Sequence, residues 1–329
     1  MGRQDGFLRH FCDNFQAIMN RRSLAIIISS ALLLGAACWQ SPQSSSNYGK
    51  IDPVTSPAVN GSPSGSNQNN KMGNNNQVDL SINSGGFMGN LPNDFTRPPD
   101  DVGKLLLKEY GSVFVARGGA TPPPIVVFRD DASVATFQGS LVKTSDTVGG
   151  VRIELQAAAM KALKEAVAEA GKNGTSITPR GADAARRVYG DTVDLWKSRV
   201  DPGLAHWADL KRIAPADVQR IKALSPYDQV PEIFKLESQG MYFSKDLSKP
   251  IIYSVAPPGA SQHLSMLALD VSEYANPKAR EILAKHGWFQ TVVSDLPHFT
   301  YLGIAESDLP KLGLKKVTDS GQTFWVPDI

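Results

Sequence analysis

The feature that most limits the fold of this chain is a stretch that lacks the material for a core. Residues 39–97 include "SPQSSSNYG", "NGSPSGSNQNNKMGNNNQ" and "INSGGFMGN", rich in Ser, Asn, Gly and Pro and poor in large apolar side chains. Such a composition cannot bury enough surface to offset the entropy of ordering it. It reads as a tether whose ends lie on average about 45 Å apart. Any hydrophobic core must therefore come from residues 98–329, which are enough for one sizeable domain.

What precedes the tether reads as an address. "RRSLAIIISSALLLGAAC" has two arginines, an apolar run from Leu24 to Ala37, then Cys38. A run of fourteen residues is too short for a membrane span, which needs about 20. A basic start, a short apolar core and small residues before a cleavage point make a secretory signal over residues 1–38. Because it ends at a cysteine, it resembles a bacterial lipoprotein signal, in which Cys38 is lipidated and becomes the first residue. It departs from that pattern at one point: leucine usually stands three places before the cysteine, and here Gly35 does, with Leu34 one step further back. Secretion without a lipid and an uncleaved anchor remain the alternatives. "MNRRSLAIII" from Met19 would itself make a normal leader, so translation can begin there. Residue 39 is Trp rather than Asp, and in cells with two membranes such lipoproteins are sent to the outer membrane. The expectation is a cell-envelope protein, held to a membrane through a lipid on Cys38, with its domain in the periplasm.

Both cysteines, Cys12 and Cys38, fall before the tether. The rest of the chain then has no disulfide and no thiolate metal site, and a metal there must use His, Asp or Glu. Lys and Arg (34) nearly balance Asp and Glu (32), and no segment carries a dense basic face with interleaved aromatics, which argues against a nucleic-acid partner. Apolar spacing predicts a helix through "VRIELQAAAMKALKEAVAEAG", stopped at Gly171, and another through "ADAARRVYGDTVDLWKSRV". A third is expected in "SPYDQVPEIFKLESQGM", with Ser225 as N-cap and Pro226 first, and a fourth in "NPKAREILAKHG", with Asn276 as cap and Pro277 first. "SITPR" reads as a short extended piece. "PIIYSVA", "LALDV", "WFQTVVS", "HFTYLG" and "TFWV" read as strands. Helices first and strands later predict an α+β domain: a small, mainly antiparallel sheet flanked by helices.

Four histidines follow the tether: His206, His263, His286 and His298. His263 stands seven residues before Asp270, and His298 three after Asp295. A catalytic zinc takes three protein ligands and keeps a fourth position for water. His263, Asp270 and His298 can supply two imidazoles and a carboxylate, with Asp295 as general base. Spacing alone leaves open that these are buried polar groups of an ordinary strand. His206 reads as partly exposed and His286 as a helix-end residue. Trp196, Trp207, Trp288 and Trp325 read as core rather than as sugar platforms.

The segment "APPGASQHLSMLALDV" resembles the first metal motif of the D-alanyl-D-alanine carboxypeptidases of the vancomycin-resistance type, in the group that also holds lysostaphin-like and hedgehog-like zinc domains. That motif reads Ser-x-His, four residues, Ala-x-Asp, often after Pro-Pro-Gly. Here Pro257, Pro258, Gly259, Ser261, His263, Ala268 and Asp270 fall in register. The second motif, an acid, two residues, then His-Phe-x-Tyr-x-Gly, matches Asp295, His298, Phe299, Tyr301 and Gly303. The resemblance covers roughly residues 250–305. It implies zinc held by His263, Asp270 and His298, Asp295 as base, Ser261 supporting the ligands, and a peptidoglycan peptide as substrate.

The chain departs from the family pattern in three places. Met266 stands where the family has Gly. Asp-Leu-Pro-His stands for Glu-Pro-Trp-His, which shortens the base by one methylene. The family's upstream arginine, which grips the substrate carboxylate, corresponds to Arg180 in "TPRGADAARR", with Arg186 and Arg187 as competitors; the helices of about residues 183–240 look like an insertion between it and His263. The expected function is zinc-dependent hydrolysis of peptidoglycan stem peptides. The alternative is a catalytically weak or inactive zinc domain that only binds the wall.

Overall fold

The computed structural model describes residues 85–329. The signal sequence, Cys38 and the tether up to residue 84 lie outside the described residues.

The ordered chain begins earlier than its composition suggests. Residues 85–97 are packed rather than free: α1 (Gly86–Gly89) buries Phe87 to 1% exposure, and Asn90 Nδ2 donates to Lys311 O at 3.1 Å. One aromatic anchor suffices where an average over the window sees only small polar residues.

Helix α2 (Asp101–Tyr110) starts at Asp100, whose side chain accepts from Gly103 N, and buries Leu106, Leu107 and Tyr110. A 3-10 turn, Gly111–Val115, follows. Helix α3 (Asp131–Ser140) opens with a reciprocal Asp130–Ser133 capping box. Next comes a hairpin of β1 (Lys143–Val148) and β2 (Val151–Gln156), closed by Gly149 and Gly150, both at positive φ. Residues 151–156, expected as helix, are therefore strand. Their alternation explains it: Ile153 and Leu155 are buried, while Arg152 before them is exposed and Glu154 between them half-buried. Helix α4 (Ala157–Lys172) begins only after them.

Three helices occupy the expected helical insertion: α5 (Tyr189–Asp209), α6 (Pro215–Lys222) and α7 (Gln229–Glu237). Helix α5 starts later than "ADAARR" predicts, because residues 183–188 are engaged elsewhere, as described below. Helix α7 starts at Gln229 rather than after Ser225, with Tyr227 outside it under the Arg129 guanidinium, 3.4 Å from ring centroid to Cζ. "PIIYSVA", expected as strand, forms a 3-10 turn over Ile251–Tyr253. Its backbone is committed to side chains instead of a ladder: Ile251 N donates to Glu237 Oε1 at 2.6 Å, and Ile252 O accepts from Tyr110 Oη at 2.9 Å.

The remaining elements are β3 (Ala268–Asp270), α8 (Pro277–Lys285), β4 (Trp288–Gln290), β5 (His298–Tyr301), a 3-10 turn over Glu306–Leu312, and the hairpin β6 (Leu314–Asp319) and β7 (Gln322–Pro327). Asn276 caps α8 as expected, accepting from Lys278 N. Strand β5 lies between β3 and β4, antiparallel to both. The architecture is α+β, with small antiparallel sheets and flanking helices. Trp196 and Trp288 are fully buried and Trp325 nearly so. Among the described residues no helix is long and apolar enough to cross a membrane.

Candidate metal centre

Register builds the centre. In the β3–β5 ladder Asp270 lies directly opposite His298. His263 comes from a 3-10 turn, Gln262–Ser265, one short loop before β3. That turn ends on Met266 in the left-handed region (φ 58°, ψ 26°), which reverses the chain into the strand. Glycine suits such a position best, so the family's Gly has a backbone reason. Met266 instead buries its side chain completely in a cluster with Phe128, Val134, Phe137 and Leu264. The motif glycines have steric reasons too. A Cβ on Gly259 would sit 1.8 Å from Phe128 O, and one on Gly303 2.2 Å from Arg117 O.

His263, Asp270 and His298 offer one ligand atom each, all within 4.8 Å of one another, and could hold a metal ion. His263 Nε2 and His298 Nδ1 each lie 3.3 Å from Asp270 Oδ1. The two rings meet edge to face, centroids 4.8 Å apart. Both are almost fully buried, at 2% and 4% exposure.

The outer nitrogens decide what the inner ones can do. His263 Nδ1 is 2.8 Å from Ala185 O, a carbonyl that can only accept, so Nδ1 carries the proton and Nε2 a lone pair. His298 Nε2 is 2.9 Å from Gln262 Oε1. The amide orientation is fixed independently, since Gln262 Nε2 donates to Tyr110 O at 2.8 Å. Oε1 must then face His298, together with the Thr300 hydroxyl, and Nε2 of His298 is the donor. In the neutral tautomers that these outer bonds select, the two inner nitrogens present lone pairs toward a carboxylate oxygen 3.3 Å away. Three electron-rich atoms converge, and a cation between them relieves the repulsion. Outer acceptors of this kind orient metal-binding histidines and raise their basicity.

Burial pushes the His263 imidazole below its usual value, against the pull of Asp270, which favours the neutral ligand form. Burial acts to raise the Asp270 carboxyl, but charge and hydrogen bonding from His263 and His298 outweigh it and hold it far below the usual carboxylate range, so this carboxylate favours a positive charge at the inner nitrogens, whether a proton or a metal. Arg187 Nη2 pairs with the other oxygen, Asp270 Oδ2, at 3.2 Å. Oδ1 is left for the centre.

The segment 179–187 wraps this group, which is why it is not helical. Asp270 N donates to Ala184 O at 2.8 Å, Arg180 N donates to Asp270 O at 2.9 Å, and Ala185 O meets His263. Arg186 Nε bonds Gln138 Oε1 at 2.8 Å and pairs with Glu154 at 3.4 Å.

A cavity of about 220 Å³ opens beside the group. His263 and His298 reach it, as do Ser261, Asp295, Arg187, Arg199 and the stretch from Ile252 to Ala256. Asp295 is exposed, and its carbonyl accepts from His298 N at 3.1 Å, so one turn links it to a candidate ligand. Ser261 lines the cavity with 9% exposure. Arg180 is not brought there. Its side chain is exposed, with the guanidinium 5.9 Å from the Tyr274 ring. Arg187 lines the cavity instead. Glu237, 2% exposed, supports the cavity wall from behind: Oε1 accepts from Ile251 N and from Phe243 N at 3.1 Å, and Oε2 has no partner. Tyr110, also in the wall, is kept protonated by burial first and by the Glu109 and Asp295 carboxylates second. His206 is exposed, and His286 pairs with Glu169 at 2.9 Å away from the centre.

Comparison with known protein families, curated proteins and solved structures finds no match. Sequence reasoning missed Gln262 and the Ala185 carbonyl. The only signal for Gln262 is that it is an amide beside a candidate ligand; a backbone carbonyl has no sequence signal at all.

Proposed function

We propose that the domain is a zinc-dependent peptidase acting on peptidoglycan stem peptides, in the first place as a D-alanyl-D-alanine carboxypeptidase, and that the chain works in the cell envelope. One observation carries the reading: two imidazoles whose outer nitrogens are committed to oxygen acceptors aim their inner nitrogens at one oxygen of Asp270, beside a cavity that Asp295 shares. Zinc fits this set. Bonds of about 2.0–2.2 Å to nitrogen and oxygen give tetrahedral edges of about 3.3–3.6 Å; both His–Asp edges are 3.3 Å, and the three ligand atoms lie within 4.8 Å of one another, so the imidazoles would close on the ion. Three protein ligands leave one position open, the pattern of a catalytic site rather than a closed structural one.

When bound, zinc supplies Lewis acidity and lowers the pKa of a coordinated water to near neutrality. The chain's residues supply the rest. Asp295 accepts the proton of the attacking water and returns it to the leaving amine. A single turn links it to His298. Arg187 neutralises Asp270 Oδ2 and holds the carboxylate plane. Ser261 lines the cavity between the ligands and the incoming peptide.

Mass spectrometry of muropeptides incubated with zinc-loaded, full-length protein tests the reading, with released D-alanine expected. A protein carrying about one zinc per chain that releases nothing would instead be a wall-binding zinc protein. Anchoring is tested separately. Cys38→Ser is expected to move the protein from the membrane to the soluble envelope fraction, or to leave it uncleaved in the inner membrane.

A further inference from the structure

Arg199, on the middle of α5, reaches the same cavity as the metal centre. Its guanidinium is held in place by two hydroxyls: Nε donates to Ser254 Oγ at 3.1 Å and Nη1 to Ser198 Oγ at 2.9 Å. Ser254 is itself fixed, accepting from Lys245 N at 3.3 Å. Neither hydroxyl neutralises the charge, and Arg199 forms no ion pair among the described residues. Arg187 differs, since Asp270 satisfies it at 3.2 Å. A guanidinium has five N–H groups. Two are used here, which leaves the second N–H of Nη1 and both of Nη2. That edge is the fork that binds a carboxylate through two parallel hydrogen bonds. A braced cation without a counter-ion, facing a cavity of about 220 Å³, is preorganised for a small anion.

We propose that Arg199 is the specificity-determining residue of the cavity, binding a carboxylate of the substrate through its Nη1–Nη2 edge. The inference rests on the peptidase reading for the choice of a peptide carboxylate over other anions. It also accounts for the helical insertion, because α5 delivers the charge, and the 3-10 stretch before the first motif, through Ser254, braces it. Nothing in the sequence pattern distinguishes Arg199 from the exposed arginines of the same helices.

The test compares N-acetyl-D-alanyl-D-alanine with its C-terminal amide on zinc-loaded full-length protein, reading binding by calorimetry and cleavage by mass spectrometry. Hydrogen bonds to a charged group are worth about 1.5–3 kcal/mol, so the acid is expected to bind roughly 10–150-fold tighter than the amide. Arg199→Gln should collapse that ratio toward one, and Arg199→Lys should restore part of it, with less lost at low salt than at high. Ser254→Ala should reduce the ratio by a smaller factor, because it loosens the brace and keeps the charge. An unchanged ratio in Arg199→Gln overturns the proposal, as does failure of the wild type to bind either form. If the acid is preferred and the preference depends on Arg199 but nothing is cleaved, the peptidase reading fails and the carboxylate site stands. If cleavage occurs with a ratio indifferent to Arg199, the carboxylate site fails and the peptidase reading stands.

Discussion

Glu237→Gln probes the wall of the cavity without touching its contents. Glu237 is buried behind the Ile251–Tyr253 turn, one oxygen bonded to two main-chain N–H groups and the other to nothing. Desolvation pushes its carboxyl from an ordinary value of 4.5 up to about 8, against the two backbone hydrogen bonds that favour the charged form. The acid is thus neutral in the folded protein at pH 7 and ionised in the unfolded chain. Folding then binds a proton between these two values, so stability is highest below pH 4.5, falls as pH rises toward 8, and levels off above it. At about 1.4 kcal/mol per pH unit, the loss is about 3 kcal/mol by pH 7 and about 5 kcal/mol above about pH 8.5. Glutamine keeps the acceptor for Ile251 and Phe243 and cannot ionise. The variant and the wild type should therefore differ little at about pH 4.5, and the variant should gain steadily with pH. Urea unfolding of both proteins from about pH 4.5 to 9 measures this, and taking the difference removes every other titrating group. A difference that stays constant within about 0.5 kcal/mol across that range would refute the buried neutral acid. A difference of the opposite slope would mean that the two N–H donors outweigh burial.

Gln262→Leu removes the acceptor that orients His298 and should weaken metal binding about 10–100-fold, measured by competition with a chromophoric chelator; equal affinity would mean that His298 needs no outer partner. Met266→Gly relieves a left-handed residue, a gain of about 1–2 kcal/mol, but deletes a fully buried side chain at a cost of about 2–5 kcal/mol. Net destabilisation in urea is expected, and a more stable variant would contradict the packing argument. Asp295→Ala should retain metal and lose about 10²–10⁴-fold in turnover. Asp295→Glu should be worse than wild type if the turn to His298 is fitted to the shorter acid, and better if the site has merely decayed, as muropeptide assays would reveal.

The parts of the centre that sequence made visible are those governed by strand periodicity and short spacing. Asp270 and His298 sit in short strands rich in large apolar and aromatic residues, and such strands announce themselves. Pairing them across β3 and β5 then follows from antiparallel geometry. The parts that stayed hidden depend on contacts distant in sequence. Residues 151–156 carry both a period-2 pattern and a helix-like continuation into "AAAMKALKEA", and the Gly149–Gly150 turn decides in favour of the strand. "PIIYSVA" has the composition of a strand, but Glu237 and Tyr110 claim the backbone groups a ladder would need.

Arginine choice makes the same point at the level of chemistry. The sequence pattern favours Arg180 over Arg186 and Arg187, and the structure instead turns Arg187 to the cavity, because the path of the segment is set by what it wraps. Bonding between Arg180 N and Asp270 O, and between Ala184 O and Asp270 N, pins the strap against β3 at its start. From there the chain carries Ala185 O to His263, Arg186 outward to Glu154 and Gln138, and Arg187 inward to Asp270 Oδ2. One backbone path thus supplies an acceptor for one candidate ligand and a counter-charge for another. The consequence is that the strap and the centre should be coupled thermodynamically. A cation that neutralises the converging lone pairs stabilises the strap's bonded conformation, and an acceptor supplied by the strap raises the affinity for that cation. Hydrogen exchange at the Arg180 and Asp270 amides should slow on adding zinc, with little change in helix α6, which contributes no residue to the centre or its cavity. Equal protection with and without metal would mean that the strap is held by Arg186 and its partners alone.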